Sequence, residues 1–357
     1  MKSSSVRSLS SRRALGAGLS TLVGFGAALA LGSPAVAAGT SYVALGDSYS
    51  SGTGTRTYIS DGTSCQRSVY AYPSLDASAL GLALTFRACS GATVADVTNT
   101  QLSALSSTTA YVTISVGGND AGFADVLTEC AQPGWMSNCN GAVNEAQSII
   151  SYTLPGRLST LYSSIRSKAP NARVIVVGYP RIFNGEDCNT FTWFSPTEES
   201  RLNATADLLN SRTASAAAGA GFTFVNPTSR FVGHAVCDSP EWINGLSSPI
   251  SESYHPNVAG HRDGYVVVTK PAFGLGVALS AKQAEARAVA SADRLARDAQ
   301  RYAAADRTIT PERFVAPDLT TPEARAAAAR AGVDLSSRAS IDAADRAASA
   351  KQEAAYR

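Results

Sequence analysis

The chain has 357 residues, 45% of them hydrophobic and 16% charged, with a formal net charge of +2. That length exceeds what one average domain needs and supplies ample apolar material for a core. Near-neutral charge, with no basic run carrying interleaved aromatics, leaves nucleic-acid binding without electrostatic support, so no nucleic-acid partner is expected.

The first segment reads as an export signal. Arg7, Arg12 and Arg13 precede an apolar run over residues 15–31, and Ala35-Val36-Ala37-Ala38 offers small residues for cleavage. The run contains Gly and Ser, which argues against a retained anchor, and no second run is long enough to span a bilayer. Ser11-Arg12-Arg13 loosely resembles a twin-arginine signal, too briefly to fix the export route. Residues 1–38 are therefore assigned to a secretory signal peptide, and the mature, extracellular protein is expected to begin near Ala38 or Gly39.

Residues 42–45 read as a buried parallel strand. Gly46 then lets the backbone turn sharply, and the following residues can open a helix. A serine at such a junction, here Ser48, has its hydroxyl lifted out of the sheet beside backbone N–H groups, where an acyl-transfer nucleophile sits. By itself a Gly-Asp-Ser turn is usually only a turn. Its weight comes from matching pieces further along.

Further strands are expected at residues 111–116, 174–177 and 222–225, and all but the last end at a glycine. Between them, residues 142–168 and 196–218 have helical character. Leu158, Leu161, Tyr162 and Ile165 fall on one face, and Pro155-Gly156 interrupts the first helix. Alternation of this kind argues for an α/β domain with a helix-covered parallel sheet. Ligands of such sheets bind beyond the carboxyl ends of the strands, and Ser48 and Asn119 each lie just past one.

Six cysteines occupy the middle of the chain: Cys65, Cys89, Cys130, Cys139, Cys188 and Cys237. An even count behind an export signal points to three disulfides, though the sequence permits many pairings. A local Cys130–Cys139 bridge is the natural choice, and sequential pairing of the rest gives Cys65–Cys89 and Cys188–Cys237. Each long-loop bridge would contribute ~2–4 kcal/mol by restricting the unfolded chain. No Cys-x-x-Cys pair occurs and the three histidines are not arranged as ligands with these thiols, so neither metal nor cofactor is expected.

Past about Gly276 the composition changes to Ala, Arg, Asp and Glu, with few large apolar residues. Thr310-Pro311 and Thr321-Pro322-Glu323 look like helix starts. This stretch has too little apolar surface for its own core. Residues 39–275 are thus expected to form the functional domain, and residues 276–357 a helical or mobile, solvated tail.

Four segments resemble the conserved blocks of the SGNH (GDSL) hydrolase family: Gly46-Asp47-Ser48-Tyr49-Ser50, Cys89-Ser90-Gly91-Ala92-Thr93, Gly117-Gly118-Asn119-Asp120 and Glu252-Ser253-Tyr254-His255-Pro256. The resemblance spans residues 41–273 and is greatest to secreted actinomycete lipases and phospholipases A1, which share the six-cysteine pattern. It implies a three-layer α/β/α fold with a central parallel sheet of flavodoxin type. Its implied chemistry is carboxylic-ester hydrolysis through an acyl-enzyme.

Each block answers a physical need. A serine hydroxyl is a poor nucleophile and requires a base within hydrogen-bond reach, and histidine titrates near neutrality. His255, in a turn-rich segment, is the candidate base for Ser48, whereas His234 and His261 are assigned structural roles. The resemblance assigns the oxyanion hole to the backbone N–H groups of Ser48 and Gly91 and the side-chain amide of Asn119. Losing one such donor typically costs ~2.7–4 kcal/mol of transition-state stabilisation. Asp47 and Asp120 read as caps or turn formers.

Many family members place Asp three residues before the catalytic histidine, and this chain has Glu252 there. In some relatives a main-chain carbonyl orients the imidazole instead, and here that is the carbonyl of Ser253, the favoured reading over the Glu252 carboxylate. Expected substrates are phospholipids, acylglycerols or other esters, met at a membrane or lipid surface by a monomeric enzyme. Trp135, Met136, Phe183, Phe191, Trp193, Phe194 and Trp242 are candidates to line an apolar groove, with core packing the commoner explanation. A carbohydrate deacetylase of the same fold and an inactive wall-associated binding module are the rival readings.

Overall fold

Five short strands form one parallel sheet in the order β2-β1-β3-β4-β5, comprising β1 (Ser41–Gly46), β2 (Ala83–Phe86), β3 (Tyr111–Ser115), β4 (Arg173–Val177) and β5 (Thr223–Val225). This computed structural model describes residues 40–311 and 313–356. The expected signal peptide lies outside the described residues.

Parallel strands covered on both faces must be apolar throughout, and β1 obeys this, with residues 42–46 all buried. Ala44 sits between Phe86 of β2 and Thr113 of β3. Two groups of helices flank the sheet. One contains Tyr72–Leu80 and Val266–Ala272, and the other contains Phe123–Cys130, Cys139–Ser148, Leu154–Lys168 and Pro196–Gly219. The architecture is the three-layer α/β/α fold. Its strand order places the topological switch point between β1 and β3, which is where such folds open a crevice.

Two elements escape the sequence reading. β2 is a four-residue edge strand with an alternating rather than continuous apolar pattern. Helix Tyr72–Leu80 is buried along its whole length and so shows no amphipathic stripe. The expected helix at 142–168 divides at residues 149–153, just before the expected Pro155-Gly156, which lie inside its second half. A π-helical turn at Ile149–Thr153 joins its halves, and Pro155 falls in the first turn of the second, where its missing N–H costs nothing. Ser195 and Glu198 form a capping box that starts helix Pro196–Gly219. All six cysteines are paired, as Cys65–Cys89, Cys130–Cys139 and Cys188–Cys237.

The C-terminal extension is helical but not a solvated tail. Helix Ala281–Ala290 packs on Tyr72–Leu80, and helix Ala292–Gln300 packs on the edge strand β2. Helix Arg338–Tyr356 docks on the Cys130–Cys139 loop through Asp345, which accepts from the Gly134 N–H at 2.7 Å. Its Asp342 accepts from Trp193 Nε1 at 3.1 Å. The extension needs no core of its own because the α/β domain supplies the other half of each contact. Thr321 caps helix Pro322–Ala331 as expected, but Thr310-Pro311 starts no helix and lies in an irregular stretch across the domain.

Candidate active site

The site assembles at the β1/β3 crevice. β1 ends at Gly46, whose φ of +123° and tight surroundings demand glycine, because a Cβ there would lie 2.3 Å from the Ser115 carbonyl oxygen. The side chain of Gln101 clamps this turn, accepting from the Gly46 N–H at 2.7 Å and donating to the Gly46 carbonyl at 2.9 Å. Asp47 then caps the short helix Ser48–Ser51 by accepting from the Tyr49 N–H. Its other oxygen accepts from the Tyr179 hydroxyl at 2.5 Å. Burial pushes the Asp47 carboxyl up to about 7 against the opposing pull of these hydrogen bonds. Ser48, at the helix start, is only 6% exposed.

His255 arrives from 207 residues away and places Nε2 2.9 Å from Ser48 Oγ. Its Nδ1 is 2.8 Å from the Ser253 carbonyl oxygen. A carbonyl can only accept, so Nδ1 carries the proton and Nε2 presents its lone pair to the serine hydroxyl. This turn requires Tyr254 in the left-handed region at φ +60°, an uncommon conformation for a bulky residue. Two hydrogen bonds hold it there: the Tyr254 N–H donates to Asn244 O at 2.8 Å, and its carbonyl accepts from the Tyr49 hydroxyl at 2.8 Å. Gly54 backs the histidine so closely that a Cβ would lie 2.9 Å from His255 Cβ and 2.6 Å from the Pro256 carbonyl oxygen. Desolvation among these groups lowers the His255 pKa to about 4, opposed by the bond to Ser253.

Glu252 points elsewhere. Its carboxylate accepts from the Tyr58 hydroxyl at 2.7 Å and pairs with Arg56 at 3.5 Å. The residue at the family's usual acid position therefore braces the 54–58 loop.

Ser48, Gly91, Asn119, Ser253 and His255 line one small cavity. Two bonds register the Gly91 and Asn119 loops: Asn119 Nδ2 donates to Ala92 O at 3.0 Å, and the Val94 N–H donates to Asp120 Oδ2 at 2.8 Å. Asn119 keeps a second amide hydrogen for another acceptor. Asp120, read from sequence as a cap or turn former, thus ties two site loops together and also pairs with Arg157. His234 stacks on Trp242 at 3.7 Å, and buried His261 accepts from the Tyr72 N–H at 3.3 Å.

From Ser48 a second cleft runs into the domain, lined by aliphatic and aromatic groups including Phe123, Val126, Leu127, Ile150, Leu202 and Leu209. None of the aromatics singled out in the sequence lines it. Phe183 and Phe194 pack behind the His255 loop on Tyr254, Trp193 and Trp242 are buried elsewhere, and Phe191 is 63% exposed. The cleft is instead walled by helices Phe123–Cys130 and Pro196–Gly219. Gln101, Gly54 and Tyr179 were also missed, because each acts on a partner more than fifty residues away.

The family model described as the GDSL-like lipase/acylhydrolase family matches residues 44–262. A lipase from Streptomyces rimosus is 43% identical over 250 residues, covering 70% of this chain and 92% of that protein. Lipase 1 of Streptomyces coelicolor is 45% identical over 238 residues, covering 66% and 87%. Among solved structures, phospholipase A1 from Streptomyces albidoflavus superposes with a TM-score of 0.62 at 43% identity, over 66% of this chain and 99% of that one. The extracellular lipase from Streptomyces rimosus gives 0.62 at 42% identity, over 65% and 99%.

Proposed function

The chain belongs to the GDSL-like lipase/acylhydrolase family, and from that membership we propose an exported serine esterase of lipid esters that works through a Ser48–His255 dyad. One observation carries the reading: a serine hydroxyl 2.9 Å from an imidazole nitrogen whose other nitrogen is fixed by an acceptor-only partner.

In this mechanism His255 Nε2 takes the Ser48 proton as Oγ attacks the ester carbonyl carbon. The tetrahedral oxyanion accepts from the Ser48 and Gly91 N–H groups and the free Asn119 amide hydrogen. Collapse expels the alcohol, which leaves with the proton held on Nε2. Water, deprotonated by the same nitrogen, then attacks the acyl-enzyme, and the acid departs as Ser48 recovers its hydrogen. The Ser253 carbonyl stabilises the imidazolium through Nδ1–H without a carboxylate, and no metal or cofactor takes part.

The apolar cleft reaching Ser48 fits an acyl chain better than a sugar, favouring phospholipids and acylglycerols over acetylated carbohydrates. Phospholipase A1 activity falls within this reading. Residues 1–38 serve as signal peptide, 39–275 as the hydrolase domain and 276–357 as its extension, in a monomer that works outside the cell at lipid surfaces. Assaying wild type and Ser48→Ala against phospholipid, triacylglycerol, short aryl esters and acetylated sugars tests the activity and its substrate class. Lipid-ester turnover lost in Ser48→Ala is expected, whereas turnover of acetylated sugars alone would transfer the assignment to a deacetylase. Binding to cell wall with no turnover would make it an inactive module.

A further inference from the structure

Residues 309–311 and 313–315 of the C-terminal extension cross the cavity that holds Ser48 and His255. The backbone at Pro311 lies directly on Gly91: a Cβ built there would sit 2.4 Å from Pro311 Cα and 2.9 Å from the Thr310 carbonyl oxygen. The room that a glycine would leave for an approaching ester is thus filled by the chain itself. Three residues on, Phe314 is 4% exposed, stands edge-on to Tyr254 at 4.9 Å, and lines the cavity together with Ser48, Asn119 and His255.

Both ends of this crossing are fastened. Asp306 is fully buried and pairs with Arg67 at 2.6 Å and Arg87 at 2.8 Å, two arginines of the hydrolase domain that are themselves buried. Tyr302 lies under the Arg87 guanidinium at 4.0 Å. Beyond Phe314, the Val315 N–H donates to Thr128 Oγ1 at 2.9 Å, on the helix whose Leu127 lines both clefts. The family match ends at residue 262, and the two Streptomyces structures are covered almost whole by two thirds of this chain. Nothing in those matches accounts for the crossing segment.

We infer that the C-terminal extension is an intramolecular strap that occupies the alcohol side of the active site and holds the hydrolase latent until Phe314 and Pro311 are displaced. The inference rests on the Ser48–His255 reading. A carbonyl at Ser48 needs its oxygen beside Gly91 and room for the leaving alcohol, and Pro311 lies against Gly91 while Phe314 fills the cavity shared with Ser48 and His255. Asp306 lies outside the cavity, so its anchor can persist while the strap lifts, and lifting exposes Phe314 and the cleft together.

The test uses the full chain and a soluble fluorescent alkylphosphonate that labels an activated serine. Because only strap-open molecules react, Phe314→Ala is expected to label about tenfold faster than wild type. Ser48→Ala introduced into the Phe314→Ala protein should abolish labelling. Hydrogen exchange provides a readout that needs no variant: peptides over 309–315 should exchange faster in phosphonylated wild type than in free wild type, while the segment around Asp306 keeps its protection. Equal labelling of wild type and a Phe314→Ala protein with unchanged near-ultraviolet dichroism would overturn the strap while leaving the hydrolase intact. So would unchanged exchange at 309–315 after phosphonylation. Absence of labelling in every protein would instead strike at the dyad beneath both proposals.

Discussion

The crevice at the ends of β1 and β3 and the extension that crosses it are built on opposite plans. The crevice starts from local backbone geometry, with Gly46 at φ +123°, Asp47 capping its own helix and Tyr254 at φ +60°, and the side chains of Gln101 and Tyr49 lock it. The extension is made of plain alanine-rich helices, and its position depends on distant side chains such as Arg67 and Arg87. Catalytic groups need placement within a fraction of an ångström, which short-range constraints deliver. A cover must be able to leave, and a few separable anchors allow that.

Removing the crevice's chemistry should cost most. Ser48→Ala and His255→Ala are each expected to lower kcat by at least about 10⁴-fold on a short aryl ester. A His255→Ala enzyme retaining a tenth of wild-type turnover would break the contrast, since the crevice would then owe little to its geometry. Asn119→Ala should lower kcat by about 10²–10³-fold with little change in KM, as expected for a donor that matters chiefly in the transition state. A change confined to KM would make Asn119 a binding group.

Glu252→Ala sharpens the comparison inside the crevice. Its carboxylate holds Tyr58 and Arg56, so the variant should stay within about tenfold of wild-type kcat. A loss matching that of His255→Ala would restore the carboxylate as orienter. In the extension, Asp306→Asn leaves two buried arginines underpaired and should cost about 3–5 kcal/mol in urea unfolding. Unchanged stability would mean that the extension is not anchored there.

The smallest effect is on pH dependence. In the proposed mechanism the neutral imidazole of His255 is the base, and burial lowers its pKa to about 4. The kcat/KM profile should therefore hold level as pH falls through about 6.5, the ordinary histidine value, and decline only toward about 4. A limb centred at the ordinary value would show that water reaches the ring.

What was legible in the sequence follows the same division. Strand ends at Gly46 and Gly117 are signals carried by neighbouring residues, and they placed Ser48 and Asn119 just past the strand ends that form the crevice. The approach of His255 came through resemblance to a family, not from periodicity. Gln101 on Gly46, Asp120 on Val94 and Gly54 against His255 join segments far apart in the chain, and no local pattern marks them. In the extension, alanine content announced helices, but nothing local marks Asp306 as the partner of Arg67 and Arg87. Thr310-Pro311 imitated a helix start because its composition is that of a cap, while its position is set by contact with Gly91.

Intact-mass and peptide analysis after treatment with the alkylphosphonate probes the central claim most directly, because only a serine activated by the imidazole forms the adduct. The account predicts one adduct, on Ser48, in wild type and essentially none in His255→Ala. An adduct on a different serine, or equal labelling of the two proteins, would contradict it.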